Sequence, residues 1–122
     1  ATAPLAQVVL LTFGPRPVIA DAFANLGAQR VIIFGSWAAR LLGEPGPAPS
    51  DLDVLVVGDG ISRTALYAAA ESAQARLKRQ VNPILRSTGA WAEPGKDPLI
   101  DEILRRPRVD VTNPPTRTSV AS

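Results

Sequence analysis

Two β-branched runs of strand length frame the middle of this 122-residue chain and leave little freedom for what lies between them. The first, Arg30-Val31-Ile32-Ile33-Phe34, ends on Gly35; the second, Val54-Leu55-Val56-Val57, is entered through Asp51-Leu52-Asp53. Side chains alternate along a strand, so Asp51 and Asp53 share one face while Leu52, Val54 and Val56 share the other and hold the strand against helices. Between the runs, Ser36 to Gly43 reads as a short helix with Ser36 as its cap. The connector at residues 44–49 is too rich in proline and glycine for regular structure and is expected to cross the mouth of any site here, as a moving flap or as an inert spacer.

This order of elements suits phosphate and metal chemistry. A helix start presents unpaired backbone N–H groups, and a glycine without Cβ lets a phosphate approach the backbone. Ser36 adds a hydroxyl. Arg40, one turn on, lies on nearly the same helix face and can reach a phosphate or pair with Glu44. Two carboxylates roughly 6–7 Å apart on one strand face can converge on a hard cation such as Mg²⁺, which takes oxygen ligands and keeps places for water and phosphate.

Gly35-Ser36, a spacer of fourteen residues and then Asp51-x-Asp53 at the head of an apolar strand resembles the minimal nucleotidyltransferases of the DNA polymerase beta superfamily, over about residues 28–85. The resemblance implies that Gly35 and Ser36 hold the phosphates of a nucleoside triphosphate and that Asp51 and Asp53 bind Mg²⁺. It implies transfer of a nucleoside monophosphate to an acceptor hydroxyl on a protein or nucleic acid. A third carboxylate normally follows on the next strand, where it completes a second metal site and helps to activate the acceptor. In Gln80-Val81-Asn82-Pro83-Ile84-Leu85 that place falls to Asn82. An amide oxygen is a weak metal ligand and no base, so the two-metal site is incomplete, whereas nucleotide binding need not suffer. The Gly-Ser-Trp-Ala-Ala-Arg variant resembles domains attached to winged-helix regulators, which makes a nucleotide-sensing module the alternative; an antitoxin-type nucleotidyltransferase is a third reading.

Each feature also has a plain structural reading. Asp51 can close a turn with Ser50, Asp53 can be a charge on an edge strand, and Gly35-Ser36 an ordinary strand-to-helix link. Trp37 can stack on a base, but a helix–sheet seam is the simpler place for it, and Trp91 is assigned to packing. Composition narrows the chemistry further. Cysteine and histidine are absent, which excludes disulfides, thiol nucleophiles, the usual zinc sites and imidazole catalysis. A net charge of +2 without a clustered basic stripe names no nucleic-acid partner. No segment reads as a membrane span or secretion signal, so the cytoplasm is expected.

The fold class expected is α/β (α+β), a small mixed sheet of three to four strands packed against helices. Residues 1–14 read as an apolar linker helix stopped by Gly14-Pro15, which packs on this domain's own core or forms an interface to an upstream domain or to a second subunit in a homodimer. Methionine is absent altogether, which fits a piece of a longer chain. A helix over residues 17–26 ends at Gly27, and the longest helix runs from Ser62 to Gln80 with Leu66, Ala69, Ala73 and Leu77 as its stripe and Lys78 and Arg79 closing it. Val81 to Arg86 forms the third strand; residues 98–106 form a helix stopped by Pro107, and Val109 and Val111 a short last strand. The domain is expected to span residues 15–111, with 112–122 a flexible tail.

Overall fold

The computed structural model describes residues 15–43 and 50–112. The expected apolar linker helix, the proline-rich connector and all but the first residue of the expected tail lie outside them. Four strands form one mixed sheet in the order β3-β2-β1-β4: β1 is Arg30–Phe34, β2 Asp51–Val57, β3 Gln80–Arg86 and β4 Val109–Asp110. β1 runs antiparallel to both β2 and β4, and β2 runs parallel to β3. Parallel neighbours need a crossover, which is helix α3, Arg63–Leu77. The helices before it are α1, Pro15–Ala22, and α2, Ser36–Leu41; those after it are α4, Thr88–Ala92, and α5, Pro98–Arg105. Pro83 sits in β3, an edge strand, where a residue without an N–H to donate is tolerated.

Strand parity builds two cores. On one face, Val31, Ile33, Leu52, Val54 and Val56 pack with Val18, Ile19 and Phe23 of the first helical segment and with Leu66, Ala69, Ala70 and Ala73 of α3. On the other, Ile32, Leu55 and Val57 pack with Ile103 of α5, fringed by Phe34, Ile84, Trp91 and Leu99. Each valine, leucine, isoleucine or phenylalanine side chain so buried contributes about 1.5–3 kcal/mol. The second core settles where the carboxylates go. Asp51, Asp53, Leu55 and Val57 share one face of β2, yet burial reaches only the last two; Asp53 is half-buried and Asp51 exposed.

Several boundaries differ from those expected. The segment over residues 17–26 is a helix from Pro15 to Ala22 followed by a 3₁₀ turn at Ala24–Leu26, with Gly27 left-handed (φ 75°) beyond it. Pro15 thus opens this helix, two residues before the expected start. α3 stops at Leu77, because Lys78 turns left-handed (φ 59°) and its N–H closes on the Gln74 carbonyl at 2.9 Å, freeing Gln80 to enter the sheet. Thr112, expected in the tail, is tied to β1: its Oγ1 accepts from the Val31 N–H at 3.0 Å, just beyond the Val111 N–H bond to the Val31 carbonyl. The helix at Pro98 forms where the pattern put it, and the last strand begins at Val109 as expected but ends at Asp110, short of Val111. Trp91 packs in the second core as expected. No helix among the described residues is long and apolar enough to cross a membrane.

Asp97 fastens the α5 layer to the sheet. Its Oδ1 accepts from the Leu99 N–H at 3.0 Å, capping α5, while its Oδ2 accepts from Arg86 Nε of β3 at 2.8 Å. Burial on its own pushes the Asp97 carboxyl up; the Arg86 hydrogen bond, the Ile100 and Leu99 N–H groups and the Arg86 charge together outweigh it and hold the carboxyl below its ordinary value. A group so depressed stabilises the fold above an unfolded pKa of about 4, and that contribution is lost as pH falls through the folded value. Asp97→Asn is therefore expected to lower the Tm at pH 7 and to weaken its fall on acidification below pH ~4, followed by circular dichroism. An acid limb identical to the wild type would contradict this assignment.

Candidate functional site

The backbone at the end of β1 decides what can stand beside Asp53. Phe34 pairs with Asp53 in the antiparallel register, and the chain then turns through Gly35 at φ 77°, ψ −153°, a region essentially closed to residues with a Cβ. Gly35, not Ser36, occupies the cap position of α2, and no side-chain hydrogen bond caps the helix there. Ser36 is already helical, which corrects its expected role as the cap. A Cβ built on Gly35 would lie 2.8 Å from Asp53 Oδ2. The glycine is needed twice, for its dihedral angles and for the carboxylate packed against it.

Asp53 belongs to β2, flanked by β1 and β3, so the edge-strand reading of its charge does not hold. Ser50 Oγ does reach Asp51 Oδ1 at 3.3 Å, in keeping with a local turn contact. Across the parallel register Asp51 faces Gln80 and Asp53 faces Asn82. The Asn82 side chain enters the space between the carboxylates: its Nδ2 donates to Asp51 Oδ2 at 3.1 Å and to Asp53 Oδ1 at 3.3 Å. Gln80 Nε2 donates to Asn82 Oδ1 at 2.9 Å. Asp51, Asp53 and Asn82 thus form one connected patch at the uncovered end of the sheet, with Gly35 as its wall.

Two hollows flank the patch. Gly35, Ser36, Ala39, Arg40, Arg106 and Pro107 line a pocket of about 350 Å³. Ser36 and Arg40 thus share one pocket, as their helical spacing suggested. Glu44, the other partner considered for Arg40, lies outside the described residues. Arg106 arrives from the end of α5, where its Nε also meets Glu102, and nothing in its local sequence marked it for this site. On the far flank a shallower hollow of about 550 Å³ is lined by Ser50, Glu71, Gln74, Lys78, Arg79 and Gln80. Trp37 is in neither; it packs on the larger core, and its Nε1 is a buried polar atom without a hydrogen bond among the described residues.

The donor set fixes what a metal would find. Among the described residues no group of three or more histidine, cysteine, aspartate or glutamate side chains gathers to hold an ion. Two oxygen-donating carboxylates on one strand face fit a hard cation that keeps water and phosphate as its remaining ligands. They do not complete a two-metal site, because the third position presents an amide N–H₂. No family model matches the chain, and neither the curated proteins nor the solved structures contain a match to it.

Gly35→Ala tests the wall of the site. The backbone strain is expected to cost about 1–3 kcal/mol, read from urea unfolding. The new methyl group also displaces the Asp53 carboxylate from Asn82, which should appear as a shift of the Asn82 side-chain amide resonances. Wild-type stability together with unmoved resonances would show that the turn does not require glycine.

Proposed function

We propose that this chain is a nucleotidyltransferase-like domain that binds a nucleoside triphosphate together with Mg²⁺. The observation that carries the reading is the packing of Gly35 on Asp53: the same glycine lines the pocket with Ser36, Arg40 and Arg106 and lies against one of the two carboxylates. Asp51 and Asp53 would hold the cation. Bound there, Mg²⁺ would supply charge neutralisation for the triphosphate. Gly35 lets phosphate oxygens approach the backbone, Ser36 offers a hydroxyl donor, and Arg40 and Arg106 bring two guanidinium groups whose forked donors suit phosphate. With such ligands the cytoplasm is its place.

Transfer of the nucleoside monophosphate to an acceptor hydroxyl, with release of pyrophosphate, asks more of the site. The hydroxyl proton must go to a base. The Asn82 amide has no basic lone pair to offer, so the proton would pass to water or to a carboxylate brought by the acceptor's own protein. This feature favours a second reading, in which the domain binds nucleotide as a sensing module of a larger regulator and transfers slowly or not at all.

Calorimetry with ATP and GTP, with and without Mg²⁺, tests the reading. Wild-type protein is expected to bind weakly and only with Mg²⁺, the Asp51→Asn/Asp53→Asn double variant not at all. Arg106→Ala should weaken binding by about tenfold to a hundredfold, as loss of a hydrogen bond to a charged group does. Equal affinity in the wild type and the double variant would contradict the reading.

A further inference from the structure

The orientation of the Asn82 amide follows from its neighbours. Ionised carboxylates only accept hydrogen bonds, so the group that Asn82 turns toward Asp51 and Asp53 must be its N–H₂. Gln80 completes the arrangement from behind, its Nε2 donating to the Asn82 oxygen. Turning the Asn82 amide over would set its oxygen against two carboxylates. A donor that bridges two like charges relieves part of their repulsion, which is also what a cation placed between them would do.

We infer that Asn82, held by Gln80, stands in the place of a second cation, so that this site is built for one divalent ion. The inference rests on the proposed reading of the site as a cation-dependent nucleotide site. Asn82 engages one oxygen of each carboxylate, Asp51 Oδ2 and Asp53 Oδ1. The other two oxygens are not engaged by Asn82: Asp51 Oδ1 has the long contact from Ser50, and Asp53 Oδ2 lies against Gly35. Gln80 is on this account a positioning residue, acting only through the amide it holds.

Counting bound Mn²⁺ by electron paramagnetic resonance, in the presence of a non-hydrolysable ATP analogue and corrected for the analogue alone, tests the inference. Wild-type protein should hold one ion and Asn82→Asp two. Asn82→Asp crowds three carboxylates together, so without divalent ions its Tm should fall below the wild type, and Mn²⁺ should raise it by more than it raises the wild type; a merely structural asparagine would give no such cation-dependent recovery. If the variant does not fold, the wild-type count decides by itself. Two ions on the wild type, or one on a folded Asn82→Asp, would overturn the inference and leave the nucleotide reading standing. No ion on either would overturn both.

Discussion

The antiparallel pairing of β1 with β2 is the constraint on which the site depends. It brings the end of one strand to the beginning of the other, so that Phe34 lies across from Asp53 and the next residue, Gly35, lies against that carboxylate. Without a residue able to adopt φ 77°, ψ −153°, the chain could not leave β1 at that point and begin α2 beside Asp53. The parallel pairing of β2 with β3 then adds Gln80 and Asn82 from the other side. Three strand ends thus contribute to one surface, and their register positions them more firmly than a loop would.

The same sheet explains why the carboxylates remain accessible. β2 carries apolar side chains on both faces over Val54 to Val57, all buried, and the half of its second face beneath Asp51 and Asp53 is left uncovered. Capping and ion pairing through Asp97 hold α5 in its place against that face, and the end of α5 delivers Arg106 to the pocket of Gly35, Ser36 and Arg40. Asp59 does similar work for α4. Its carboxylate accepts from the Thr88 hydroxyl and from the Thr88 N–H, and those two bonds hold its pKa below the ordinary value.

Much of this was legible in the sequence because it is local. The shared face of Asp51 and Asp53 follows from strand parity, the stripe Leu66, Ala69 and Ala73 from helical spacing, and the entry of Asn82 into the cleft from its position on the next strand. What was not legible depends on packing between distant segments. Leu55 and Val57 have the same parity as the aspartates, and only the docking of α5 shows that this face is half core and half site. Arg106 lines the same pocket as Ser36 for the same reason. Ser36 was expected to cap α2 because serine is a good cap; the backbone angles that only glycine adopts gave that position to Gly35 instead. Gln80 had no local signal, since its role depends on which way the amide of Asn82 turns.

The most direct test of the central claim, that nucleotide and cation meet where β1 and β2 join, is a ¹⁵N nuclear magnetic resonance titration of the whole chain with Mg²⁺ and a non-hydrolysable ATP analogue. The account predicts that the largest shifts fall on the backbone amides of Gly35, Ser36 and Arg40 and on the side-chain amide of Asn82. Shifts confined to the separate hollow lined by Pro17, Ala20, Asp21 and Ala24, with Gly35 and Asn82 unmoved at saturation, would contradict it.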